Sequence, residues 1–158
     1  MAEDGMDGVR ASVALTATIT LEASPERVFP LLTPEGERLW VEGWAPRYPA
    51  STRPEESAGA TFLTSNHGQE AVWVIAAKDD ARCRARYVCV IPGGRASLVS
   101  VACTETATGA TAATISYSVT ALSPDWDTRV LDLEAAYPSM MEEWTAALHR
   151  ALSATPSA

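Results

Sequence analysis

The run Thr33-Pro34-Glu35-Gly36-Glu37-Arg38 brackets a glycine between two carboxylates and ends on an arginine. At the start of a short helix, such carboxylates complement the helix dipole, and the arginine can pair with one of them. A carboxylate turned inward would do something else. Stripped of water, it favours its neutral form, and it can serve as a general acid or base or anchor the polar end of a ligand. Glu37 is the candidate for that role, with Arg38 a further inward-facing possibility. Tyr87, Tyr117 and Tyr137 are the other polar tips set in apolar segments, so Glu37 and Tyr117 are the candidate catalytic groups. A buried tyrosine hydroxyl needs a partner, which can be backbone as readily as ligand.

The remaining reactive residues form no recognisable constellation. His67 falls in a turn beside Gly68, and His149 lies near the end of the chain beside Arg150, where a positive charge suits a helix C-terminus. Neither H-x-x-x-H nor C-x-x-C spacing occurs, and Pro92-Gly93-Gly94 joins two strands and opens no helix. No G-x-S-x-G elbow is present. The residues therefore call for no metal and no cofactor. Cys83, Cys89 and Cys103 are odd in number and sit in apolar, strand-like segments, which suits reduced thiols in a cytoplasmic protein.

The 158 residues carry a net charge of −8 with one lysine, Lys78. That balance argues against a nucleic-acid partner, since phosphate binding needs clustered cations. Arg82, Arg84 and Arg86 alternate along one strand face and read as a solvated stripe. No apolar run approaches the roughly 20 residues that cross a bilayer, so no membrane insertion is expected. Residues 1–10, MAEDGMDGVR, read as a disordered leader.

Residues 13–21 (VALTATITL) alternate with period two, a strand with one buried face. Ser24-Pro25-Glu26 then has the chemistry of a helix start, and Pro30 and Pro34 keep that helix short. A second short helix follows and ends before Gly43, and residues 45–60 form a surface loop. The short ATFLTS strand and four longer ones over 69–78, 81–91, 95–106 and 110–122 are separated by tight turns, which makes an antiparallel meander. After Ser123-Pro124-Asp125, with Ser123 or Asp125 as cap, apolar residues from Val130 to Leu152 recur in steps of three and four. They mark a long amphipathic helix that Pro138 should kink or restart.

This order, with LEASPERVFPLLTPEGERLWVEGW at 21–44, VIPGGRASLVSV at 90–101 and YPSMMEEWTAALHRAL at 137–152, resembles the START-like or SRPBCC superfamily. That superfamily includes polyketide cyclase-like and birch-pollen-allergen-like proteins. The resemblance covers roughly 11–152 and implies an α+β helix-grip fold. A curved antiparallel sheet would wrap a long C-terminal helix, two short helices would follow the first strand, and a cavity would lie between sheet and helix. One domain over 11–153 is expected, with 154–158 a tail.

Strand parity points Ala81, Cys83, Ala85, Tyr87, Cys89 and Ile91 inward, along with Ala113, Ile115, Tyr117, Val119 and Ala121. On 69–78 it favours Ala71, Trp73, Ile75 and Ala77. On 95–106, Val99, Val101 and Cys103 compete with Leu98 and Ala102 for the inner face. Many small residues among a few large ones leave room beneath a helix. Combined with the resemblance, this nominates Trp44, Trp73, Tyr87, Tyr117, Tyr137, Met141 and Trp144 as ligand-binding residues, with Trp40 a core anchor and Trp44 at the cavity entrance. The expected partner is a small, largely apolar molecule. Two alternatives stay open: a polyketide cyclase or aromatase-type enzyme, whose kind works chiefly by shaping a chain in the cavity, and a protein interaction module with a vestigial cavity.

Overall fold

The computed structural model describes residues 8–66 and 68–154. Most of the expected leader, the last four residues of the expected tail and the His67 turn therefore lie outside the described residues. Strand β1 (Ser12–Leu21) alternates as its sequence requires. Leu15, Ala17, Ile19 and Leu21 pack on the core. On the outer face, the Thr16 and Thr18 hydroxyls meet those of Ser116 at 2.8 Å and Thr114 at 2.9 Å.

Ser24 precedes helix α1 (Pro25–Val28) with extended backbone, and its carbonyl, rather than its hydroxyl, accepts the first helical N–H groups. Pro30 has no N–H to give the preceding turn, and the chain tightens into a 3-10 helix over Phe29–Leu32. A second 3-10 turn, Gly36–Leu39, lies directly against the first. A Cβ at Gly36 would stand 1.8 Å from the Pro30 carbonyl oxygen, so only glycine allows this approach.

The meander comprises β2 (Thr61–Asn66), β3 (Gln69–Asp79), β4 (Arg84–Ile91), β5 (Arg95–Glu105) and β6 (Thr111–Ala121). With β1 docked on β6, the sheet is antiparallel throughout, in the order β1-β6-β5-β4-β3-β2. Two local readings of the sequence are corrected. Ala77 does not face inward: the register shifts between Ile75 and Ala77, so one extra residue reverses parity and Ala77 is exposed. Lys78 takes the inner-face parity instead, opposite Ala85, with its side chain only 12% exposed and its Nζ 3.2 Å from Asp80. Strand β4 also starts at Arg84 rather than at residue 81, because Cys83 adopts φ 55° in the turn. Arg82 therefore leaves the exposed stripe and reaches Asp79 at 3.9 Å.

A 3-10 turn at Pro124–Trp126 leads into helix α2, 28 residues over Asp127–Ala154. Its buried side chains, Val130, Tyr137, Met141, Leu148, Ala151 and Leu152, lie along one face and cover the sheet. Ser123 makes no side-chain cap bond. The residue that ties down this end is Asp127, whose carboxylate accepts from the Ala11 N–H at 2.8 Å and sits 3.6 Å from Arg10. Pro138 stays within the helix without ending it. His149 is not at the helix terminus either; its Nε2 accepts from the Glu22 N–H at 3.3 Å and clips α2 to the end of β1. Among the described residues, no helix is long and apolar enough to cross a membrane.

Candidate functional site

The inner face of the sheet is organised in cross-strand rows. Ile75, Tyr87, Val99, Tyr117 and Leu15 stand opposite one another along one row. Phe62, Trp73, Cys89, Ser97 and Val119 form the next. Over the first row, Glu37 from the second 3-10 turn, Trp44 from the loop after it and Trp144 from α2 close a chamber with Tyr87, Tyr117 and Trp73. Its volume is about 30 Å³, room for on the order of two waters.

Aromatic rings fill much of what the small side chains leave. Trp44 meets Trp73 edge to face at 5.6 Å, and Trp73 stacks on Phe62 at 5.4 Å. On the other side, Trp144 contacts Tyr117 at 6.4 Å and Trp40 at 5.2 Å. Hydrogen bonds fix the rings: Trp44 Nε1 donates to the Pro34 carbonyl at 2.8 Å, Trp40 Nε1 to the Leu31 carbonyl at 2.6 Å, and Trp73 Nε1 to Thr64 Oγ1 at 3.0 Å. Beyond the Trp44–Trp73 pair lies a second, open cleft of about 430 Å³. Both tryptophans line both spaces and so form the partition between them.

Two polar groups of the chamber lack partners. Among the described residues, nothing donates a hydrogen bond or an ion pair to the Glu37 carboxyl, and burial alone pushes its pKa up to about 8. Glu37 is therefore mostly neutral at pH 7. The Tyr117 hydroxyl, also without a partner among the described residues, is held protonated by burial and then by the proximity of Glu37. Tyr87 is raised by the same two causes in the same order, but its hydroxyl donates to the Leu32 carbonyl at 3.3 Å. The chamber thus presents a neutral carboxyl and a phenol to whatever enters it. Both can donate to a carbonyl, and the carboxyl can exchange a proton near neutral pH.

No protein-family model and no curated protein sequence matches the chain. Solved structures do. Norcoclaurine synthase from Thalictrum flavum, in complex with dopamine and hydroxybenzaldehyde, aligns with a TM-score of 0.68 at 10% identity over 95% of this chain and 91% of that one. The structure of Ara h 8.0201 aligns at 0.64 with 13% identity over 90% and 99% of the two chains. DynU16, from the dynemicin biosynthetic locus, aligns at 0.59 with 16% identity; 89% of this chain matches 47% of that one. The chain has the helix-grip fold of these structures.

Within this helix grip, five of the seven nominated ligand-binding residues come together around the chamber: Trp44, Trp73, Tyr87, Tyr117 and Trp144. Tyr137 and Met141 line neither space and are buried in the core. The Tyr137 hydroxyl donates to the Ile115 carbonyl at 2.6 Å, and burial pushes its pKa up to about 12. Glu37 and Tyr117 share the chamber, whereas Arg38 turns away from it, binding Glu35 at 2.8 and 3.1 Å and the Pro46 carbonyl at 2.7 Å. Among the described residues, no group of three or more His, Cys, Asp or Glu side chains converges as a metal site would require.

Sequence reasoning missed the outer cleft, where Arg95, Trp126 and Arg129 join the two tryptophans. The signal was parity. Arg95 shares the inner face of β5 with Ser97, Val99, Val101 and Cys103, four residues that are each buried.

Proposed function

We propose that this helix-grip protein binds a small, largely apolar, ring-containing molecule between its sheet and α2. The ligand body lies along the Trp44–Trp73 partition, and a polar atom meets the neutral Glu37 carboxyl. The observation that carries the reading is Glu37 itself: a half-buried carboxyl without a protein partner among the described residues, held mostly neutral by an apolar, aromatic lining, offers its hydrogen-bonding capacity to a ligand. Volume supports it as well. The outer cleft, at about 430 Å³, lies in the range of small-molecule sites, and the inner chamber adjoins it through the shared Trp44 and Trp73 walls. The norcoclaurine synthase structure, with dopamine and hydroxybenzaldehyde bound, points to ligands of this size and aromaticity on the same fold.

Native mass spectrometry of freshly purified protein, followed by denaturation to release bound molecules, tests the proposal. A reproducible excess mass identifies the ligand class. A clean protein mass, together with tryptophan fluorescence unmoved by a panel of apolar aromatic compounds, overturns it.

The second reading, an enzyme of the cyclase or aromatase kind, is favoured by the same pKa. A carboxyl that titrates near 8 can take a proton from carbon or oxygen and return it at neutral pH, with the Tyr117 hydroxyl stabilising negative charge on a carbonyl oxygen. It predicts turnover of a bound polyketone-like compound that Glu37→Gln abolishes while binding persists. Binding without turnover in the wild-type protein leaves the first reading alone.

A further inference from the structure

We propose that the outer cleft is an anion subsite, in which Arg95 and Arg129 hold an oxyanion at one end of an amphipathic small molecule. This rests on the reading that the cleft and chamber take a small apolar ligand, and it adds the chemistry of the ligand's other end.

Arg95 opens β5 on the inner face, and its cross-strand neighbours Ile91 and Ala121 offer it no charge. Its Nε is buried with no hydrogen-bond partner, and the Ser97 hydroxyl, next on the same face, is in the same condition. Buried donors without acceptors are few in a native fold, and each asks for a missing partner. An arginine Nε belongs to a planar fork whose geometry matches a carboxylate or a similar oxyanion.

Arg129 reaches the cleft from the first turn of α2. Its guanidinium lies 4.4 Å from the centre of the Trp126 ring, and Trp126 rests on Gly94, where a Cβ would come within 2.8 Å of the indole. The glycine seats the indole, and the indole seats the second guanidinium at the rim. Glu42 also lines the cleft, but among the described residues neither arginine forms an ion pair. In a chain of net charge −8, these two cations share one concave space without a carboxylate on either. Trp44 and Trp73 wall the same space, so an anion held here leaves its apolar body on the partition and its far end toward Glu37.

The test is a matched pair of fluorescent dyes titrated into the full chain. Anilinonaphthalene sulfonate carries the anion, and phenylnaphthylamine keeps the same rings without it. The sulfonate dye is expected to bind about tenfold tighter, the scale of charge-assisted hydrogen bonds, and to weaken with added salt. Arg95→Met and Arg129→Gln should each remove most of that advantage while changing the uncharged dye by less than about twofold. Arg129 is exposed, so its variant folds even where Arg95→Met does not. Equal binding of the two dyes, or a sulfonate affinity unaffected by Arg129→Gln and by salt, overturns the anion subsite and leaves the pocket intact. Binding of neither dye overturns the pocket reading along with it.

Discussion

Glu35 and Glu37, separated by one glycine, face opposite sides of the same short helical turn. Glu35 is held by Arg38 at 2.8 Å and by the Tyr48 hydroxyl at 2.5 Å, and its pKa is lowered because these bonds outweigh its desolvation. Glu37 has no such partners and lines the chamber, where burial raises its pKa to about 8. Two carboxyls of the same chemistry are thus set on either side of neutrality by their surroundings.

Glu37→Gln should stabilise the protein at alkaline pH. The folded pKa, about 8, exceeds the ordinary value of 4.5, so the folded state holds a proton that the unfolded state releases. Wild-type stability then falls as pH rises from about 4.5 to about 8 and levels off above that. The full effect is on the order of a few kcal/mol. Thermal melts of both proteins at pH 4, 6 and 8.5 check this: a gap that opens with rising pH is expected, and a constant gap would refute the assignment.

Gly36→Ala should be costly, because its Cβ would overlap the Pro30 carbonyl at 1.8 Å and force the two 3-10 turns apart. A loss of about 1–3 kcal/mol is expected, the range for overpacked sites. Glu37 rides on the displaced turn, so ligand affinity should drop with stability. Urea unfolding alongside dye titration reads both.

Tyr137→Phe separates core from chamber. The change removes the 2.6 Å bond to the Ile115 carbonyl and should cost about 1–2 kcal/mol in denaturant unfolding. Ligand affinity should remain as in the wild type, because Tyr137 touches neither space. A selective loss of affinity would place Tyr137 in the binding site after all.

Trp44→Ala should act mainly on binding. The ring is partly buried and anchored by one bond to Pro34, and it forms half of the partition. An apolar ligand should change tryptophan fluorescence in the wild type, and the variant should bind about tenfold more weakly, the scale for losing an aromatic wall. A large fall in melting temperature with unchanged affinity would make Trp44 a packing residue instead.

Much of this architecture could be read from the chain because it rests on local rules. The alternation in β1, the proline at the start of α1 and the three-four spacing of α2 each follow from backbone geometry within a few residues. Parity also located Tyr87, Tyr117 and Trp73 on the inner face. It failed where one residue broke the period: the bulge before Ala77 exchanged that alanine for Lys78, and the φ of Cys83 moved the start of β4. Tyr137 and Met141, expected among the ligand-binding residues, line neither space for a different reason. Helical periodicity tells which stripe of α2 faces the sheet, but not whether core or void lies opposite. The outer cleft depends on Gly94, Trp126 and Arg129 meeting across separate elements, and no local pattern encodes that meeting.

The pairing of β1 with β6 has a consequence for the ribosome. Residues 12–21 leave the ribosome well before their hydrogen-bonding partners, residues 111–120, and the Ala11 N–H waits for Asp127. At about 5–20 residues per second, some 5–20 s pass before the strand has anything to pair with. During that interval a threonine-rich, alternating segment with two open edges is exposed to other nascent chains. Slow synthesis or crowding should therefore aggregate this protein through its first strand, and charged substitutions at Thr16 or Thr18, on the outer face, should raise soluble yield without touching the chamber.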